Sequence, residues 1–260
     1  MNPIEKSQTR PNNDETCPLC KGVEWVFTLN EGISSAKRCE CFEKRLSAKV
    51  LPQANIPAKY ARCSFDNFSN HDAEETASKS LASAMLVASS FARDFPQRSD
   101  PRGLLIHGGN GIGKTHLAVA ALRRILGNGV EARFINYQAL LELIRSGYDK
   151  PFGESRTAKY EELEQLNLLL IDDLGANRVT DWVEDTITQL IAFRHDHQLP
   201  TIVTTNYTPH PSSVGYLGDR IGERATSRLR EMCKIVAMPN VTDKRGTDPH
   251  ARFPSTLLPM

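Results

Sequence analysis

The sequence predicts an α/β protein: a five-stranded parallel sheet covered by helices on both faces, preceded by a small cysteine-rich domain. Three observations carry this expectation. Short apolar runs alternate with amphipathic stretches from residue 73 to 239, a glycine-rich segment sits between one such run and the helical pattern after it, and four of the six cysteines crowd into residues 17–41. Strand–helix alternation of this kind builds parallel sheets whose crossover helices cover both faces.

Each element follows from its own pattern. "AEETASKSLASAMLVASSFARDF" (73–95) places Ala77, Leu81, Met85, Ala88, Ala92 and Phe95 on one helical face. "GLLIH" (103–107) is a short buried-type strand, "THLAVAALRRIL" (115–126) a helix, and "GNG" (127–129) its stop. "ARFIN" (132–136) is a second strand, followed by a helix around "ALLELIRSG". "LNLLLIDD" (166–173) is apolar on both faces, as a central parallel strand should be. "TDWVEDTITQLIAFRHDHQ" (180–198) is a helix with Trp182, Val183, Ile187, Leu190 and Ile191 inward. "TIVTTN" (201–206) and "KIVAMP" (234–239) complete five strands. "PQANIPAKY" (52–60), with Pro52 and Pro57, reads as a linker. The expected organisation is a disordered leader (1–16), a zinc module (17–51), a linker and lead-in segment (52–72), a nucleotide-binding domain (73–246) and an irregular tail (247–260). So short a tail leaves little or no helical lid.

Composition narrows the class. The 260 residues, 40% of them hydrophobic, suffice for one large domain plus an appendage. No run approaches the roughly 18 apolar residues of a membrane span, and "MNPIEKSQTRPNNDET" lacks the apolar core of a signal peptide. A cytoplasmic protein with no membrane partner is expected. The net charge of +1 supplies no global attraction for nucleic acid, so any such contact must come from local patches.

The glycine segment "HGGNGIGKTH" contains Gly108, four residues, then Gly113-Lys114-Thr115. G-x-x-x-x-G-K-T after a strand and before a helix is a phosphate-binding loop. Its backbone N–H groups converge on a phosphate that side chains would keep away, and the helix N-terminus adds partial positive charge. Lys114 reaches the β- and γ-phosphates of ATP, and the Thr115 hydroxyl holds Mg²⁺. His107 and His116 flank the loop as packing or solvent-facing side chains. "LLLIDDLG" ends a buried strand on two carboxylates, beside the loop. Asp172 is assigned to the Mg²⁺ shell, mostly through water, and Asp173 to the base or orienter of the attacking water. Asn206, at the end of "TIVTTN", would position that water. Downstream, Arg220, Arg224 and Arg228 recur every fourth residue and are expected to line one helical face, with Arg220 and Arg230 merely solvated.

Cys17-Pro-Leu-Cys20 and Cys39-Glu-Cys41 give C-x₂-C and C-x-C, a four-thiolate set suited to tetrahedral Zn²⁺. With no histidine in the cluster the site is closed and structural. Lys21, Lys37, Arg38, Lys44 and Arg45 would offset its negative charge. In "VEWVFTL" (23–29), Trp25 and Phe27 share a strand face, read as core in preference to the alternative, an exposed docking surface.

Loop, acidic pair, asparagine and arginine helix, in this order, resemble an AAA+ ATPase of the DnaC/DnaI/IstB branch over roughly residues 55–246. The motifs that carry the resemblance are "IPAKYARCSFDNF", "GGNGIGKTHLAVA", "LLLIDDLG", "PTIVTTNY" and "SRLRE". It implies a nucleotide-binding set of Gly108, Gly109, Asn110, Gly111, Ile112, Gly113, Lys114, Thr115 and His116, with Arg245 as a sensor 2 candidate. It also implies that Asp172 and Asp173 form Walker B, that Asn206 is sensor 1, and that Arg228 is an arginine finger acting on a neighbouring copy's ATP, supported by Arg224. Many such ATPases have Glu where this chain has Asp173, so slow, switch-like hydrolysis is expected. The cysteine module resembles the helicase-binding N-domain of DnaI-type and phage loaders. The implied function is therefore loading of a hexameric replicative helicase onto single-stranded DNA. The alternative is an IstB-like transposition helper, whose relatives usually begin with a helical segment and lack a zinc module.

Overall fold

In the computed structural model the described residues are 17–30, 33–45, 53–68, 75–95, 100–146, 154–177 and 181–239. They fall in two units, residues 1–50 and 51–260. In the first unit β1 (Trp25–Asn30) pairs antiparallel with β2 (Ile33–Arg38), and α1 (Glu40–Arg45) follows. "ISSAKR" carries little apolar patterning, so only pairing with β1 reveals it as a strand. Ahead of the hairpin the first cysteine pair sits in a tight turn, in which Lys21 N donates to Cys17 O (2.8 Å) and Val23 N to Cys20 O (3.0 Å). Trp25 is 37% exposed, which corrects its reading as core. So small a hairpin has nothing to bury both of its faces. The Arg38 guanidinium instead lies 4.2 Å from the centroids of both Trp25 and Phe42. The side chain of Phe27 lies outside the described residues.

The second unit runs α2 (Glu75–Asp94), β3 (Gly103–His107), α3 (Lys114–Leu126), β4 (Ala132–Asn136), α4 (Tyr137–Ser146), α5 (Glu154–Gln165), β5 (Leu168–Asp172), α6 (Asp181–Asp196), β6 (Thr201–Thr205), α7 (Gly218–Ile221), α8 (Glu223–Met232) and β7 (Cys233–Ala237). The five strands form one parallel sheet in the order β4-β5-β6-β3-β7. Every residue of β5 and β6 is buried, as interior strands covered on both faces require, whereas edge strand β7 buries only Cys233 and Val236. β3, between β6 and edge strand β7, therefore delivers the glycine loop to the C-terminal edge of the sheet, with β5 and β6 to one side.

Residues 53–60 are no free linker: Ala54 is buried and its carbonyl accepts from Phe134 N at 2.8 Å, extending the bonding at the edge of β4. Arg123 then donates to Cys63 O at 2.7 Å, pinning the rest of the lead-in segment to α3. Helix α5 has no counterpart in the sequence reading, because "ESRTAKYEELEQ" lacks an apolar stripe. It is held by a few anchors, buried Leu163, half-buried Tyr160, and the Arg194 guanidinium at its C-terminal carbonyls. Residues 1–16 and 240–260, with Arg245, lie outside the described residues, as do the side chains of Trp182 and Val183. Among the described residues no helix is long and apolar enough to cross a membrane.

Candidate functional site

Three glycines of the loop take positive φ: Gly108 (147°), Gly111 (69°) and Gly113 (96°). Two are also required by packing, since a β-carbon at Gly108 would lie 2.6 Å from Met238 O, and one at Gly113 would lie 2.8 Å from the Phe68 ring. Gly113 opens α3 without a side-chain cap, which leaves the first N–H groups of the helix directed at the loop. Asn110 is exposed at the tip, while Ile112 is buried and anchors the loop from beneath. Lys114 is buried, and its Nζ donates to Gly109 O and Asn206 Oδ1, each at 2.6 Å. The loop lysine and the asparagine 92 residues downstream thus meet directly. The His116 ring turns away, to the Ser64 carbonyl (2.9 Å) and the edge of Phe68. Burial lowers the His107 pKa, and His210 and Lys114 add to the effect.

Asp172 is 2% exposed at the end of β5. Its Oδ1 accepts from Thr115 Oγ1 at 2.8 Å and from Thr204 Oγ1 at 2.6 Å. Burial pushes its carboxyl up, opposed by these two hydroxyls. Asp173 follows the strand with φ 56°, so its side chain departs from the strand's alternation, and its N–H donates to Thr204 Oγ1 at 2.9 Å. Thr204 thereby fixes both aspartates. Sequence reasoning missed it because a threonine inside an apolar strand reads as filler.

The arginines do not share one face. Gly222, with φ 85°, separates α7 from α8, leaving Arg220 on the first and Arg224 and Arg228 on the second. Arg220 is not a solvated side chain either: it donates to Gly175 O (2.8 Å) and Ala176 O (2.9 Å). Arg230 pairs with Glu223 at 3.2 Å. Arg224 is exposed and Arg228 half-buried; the hydrogen bond with His195 lowers the pKa of Asp196, and Arg228 adds to the effect.

The four sulfurs of Cys17, Cys20, Cys39 and Cys41 lie within 4.8 Å of one another, with Cys17–Cys39 at 3.6 Å and Cys20–Cys41 at 3.3 Å. Tetrahedral zinc with bonds of ~2.3 Å places its sulfurs ~3.8 Å apart, so the spacing fits the ion. The thiols titrate against each other. The backbone amides of Cys20 and Leu19 draw Cys17 down to about 6, while hydrogen bonding with Cys20 pushes Cys41 up to about 12. A dication is what allows all four to ionise together. Of the basic residues expected to offset the charge, Arg38 is committed to Glu24 at 3.2 Å, and Lys37, Lys44 and Arg45 lie outside the described side chains.

A family model described as IstB-like ATP binding protein matches residues 39–243. The chain belongs to this family. The replicative helicase loader DnaI of Bacillus subtilis is 27% identical over 236 residues, covering 88% of this chain and 74% of that protein. A second Bacillus subtilis relative, YqaM, is 24% identical over 85% of this chain, which spans 66% of its length. A crystal structure of the DnaC helicase loader superposes with a TM-score of 0.57 and 29% identity, covering 70% of this chain and 99% of that one.

This membership makes the chain an ATPase with an AAA+ P-loop core, and the loop geometry fits ATP. The Thr115 hydroxyl and the Asp172 carboxylate, 2.8 Å apart, are hard oxygen donors of the kind Mg²⁺ takes. Arg194, also absent from the sequence reading, is 1% exposed and spends its guanidinium on Leu163 O, Glu164 O, Leu166 O, Pro200 O and Thr201 Oγ1. It braces β6 from behind, away from the nucleotide.

Proposed function

We propose that the chain is an ATP-dependent loader of the replicative DNA helicase, acting in the cytoplasm. The observation that carries this reading is the reach of the DnaI likeness: 88% of the chain is more than residues 51–260 alone contain. The likeness therefore runs from the ATPase unit into the cysteine unit. In this reading the zinc module grips the hexameric helicase, and the ATPase unit holds single-stranded DNA while the ring is opened or threaded.

In this reading each residue of the ATP site has its own part. The loop's N–H groups and Lys114 hold the phosphates, Lys114 exchanging Gly109 O and Asn206 for phosphate oxygens. Thr115 and, mostly through water, Asp172 would hold Mg²⁺, which would supply positive charge against that of the phosphates. Asp173 orients the attacking water, and Asn206, which follows the neighbouring strand β6, helps to position it. Arg228, supported by Arg224, completes the site of a neighbouring copy, and Arg245 serves as sensor 2. Because Asp173 is one methylene shorter than glutamate, it holds the water loosely and turnover is slow, which suits ATP as a switch. A transposition helper is the second reading, favoured by the IstB-like family match.

Native mass spectrometry with the source organism's replicative helicase and ATP tests the proposal, comparing the intact chain with one lacking residues 1–50. A defined complex formed only by the intact chain supports the loader. No complex with either chain overturns it, and cooperative assembly on duplex DNA with a transposase then becomes the reading to pursue.

A further inference from the structure

Arg220 stands where three elements of the site meet. Its Nε and Nη2 donate to Gly175 O and Ala176 O at 2.8 and 2.9 Å. Those carbonyls belong to the turn that begins at Asp173, closed by Ala176 N on Asp173 O at 3.1 Å. Its guanidinium carbon lies 5.0 Å from the ring centroid of Tyr207, the residue after Asn206. The contact is close throughout: a β-carbon on Gly175 would stand 3.1 Å from Arg220 Cβ and Leu217 Cδ1 and 3.4 Å from Tyr207.

The third element is α8. Only Ile221 and Gly222 separate Arg220 from it, so the joint is short. Gly222 takes φ 85°, and a β-carbon there would lie 2.1 Å from Glu184 Oε1 of α6. The Gly222 carbonyl also accepts from Thr226 N (3.2 Å) and Thr226 Oγ1 (2.9 Å), which fixes the first turn of α8 to it. A short joint anchored to the first turn of the helix leaves little chain to absorb a displacement.

We propose that Arg220 is a positioning residue that couples the Asp172–Asp173 turn to the helix bearing Arg224 and Arg228. A change at the γ-phosphate that moves the turn moves Arg220 and the start of α8 with it. The site a chain completes for its neighbour is thereby tuned by the nucleotide in its own. This last step rests on the reading of Arg228 given above; the coupling itself does not.

Hydrogen exchange on the full zinc-loaded chain, with a non-hydrolysable ATP analogue against ADP, tests it without helicase or DNA. In the native chain the analogue should slow exchange in residues 108–117 and, by threefold or more, in 223–232. In Arg220→Ala the first effect persists and the second falls below half. Arg220→Lys, which keeps charge and stem but cannot bridge both carbonyls, behaves likewise and decides the matter if Arg220→Ala does not fold. Persistence at 108–117 separates positioning from general damage. The proposal is overturned if α8 ignores the nucleotide in the native chain, or if it responds in Arg220→Lys as it does natively. Without protection at 108–117 the ATP-site reading falls and this proposal with it. A nucleotide-responsive α8 in a chain that binds no helicase overturns the loader reading alone.

Discussion

Gly108 and Gly129 both adopt positive φ, 147° and 81°, but differ in what a side chain would meet. A β-carbon at Gly129 finds nothing within 4 Å, whereas at Gly108 it lies 2.6 Å from Met238 O and 2.8 Å from Ile112 Cδ1. Neither neighbour yields easily, because Met238 N is bonded to His107 O at 2.8 Å and Ile112 is buried. Gly129→Ala isolates the backbone cost of a side chain at such a φ, about 1–2 kcal/mol. Gly108→Ala adds overpacking of about 1–3 kcal/mol. With about 2–4 °C lost per kcal/mol in a domain of this size, the expected falls in Tm are about 4 °C and about 10 °C. The loop can avoid the larger fall by sliding off Met238. Its N–H groups then no longer converge, and a misplacement of about 1 Å costs up to 100-fold in a positioned site. Thermal unfolding together with ATP titration calorimetry reads both routes. Gly129→Ala should keep ATP affinity within twofold, and Gly108→Ala should lose about 10 °C or at least tenfold in affinity. Equal behaviour of the two variants in both measurements would refute the argument that this glycine is there for close approach.

Asp172→Asn and Asp173→Asn should bind ATP within a few-fold of the native chain yet hydrolyse it at least tenfold more slowly in single-turnover assays; unchanged turnover in both sinks their assignment. Metal analysis should find one zinc per chain, and stripping it with a chelator should abolish the far-UV signal of the β1–β2 unit while ATP binding at the other unit survives. Asp100 is held far below the usual carboxylate range by Arg102, then by Lys234. A depressed folded-state pKa gives stability that is present above about pH 4 and lost as pH falls below it. Asp100→Asn should therefore cost about 1 kcal/mol or less at pH 7, with the two chains converging in urea melts towards pH 2; a constant difference across that range contradicts the ion pair.

The Pro-containing run at 52–60 shows where sequence pattern stops being informative. Proline and short polar residues suit a linker, and what makes the run part of the ATPase unit is one carbonyl, Ala54 O, meeting Phe134 N across 80 residues of chain. Helix α5 and strand β2 were invisible for a related reason: neither carries a periodic apolar face, and both exist through partners elsewhere. Arg220, Arg224 and Arg228 are spaced for one helix face, and that spacing misled because a single glycine backbone interrupts it.

By itself the sequence determined the parallel α/β core, the glycine loop with Lys114 and Thr115, the Asp172–Asp173 pair and the four-cysteine cluster. Each of these is a local pattern, an apolar period or a fixed spacing of chemically special residues, and such patterns survive without knowledge of the fold. Only the tertiary structure decided that Lys114 meets Asn206, that Thr115 and Thr204 share Asp172, and that Arg220 meets the carbonyls of the acidic turn. Those meetings join residues 32 to 92 positions apart. Strand order in the sheet brings them together, and strand order is set by packing over the whole core rather than by any one segment.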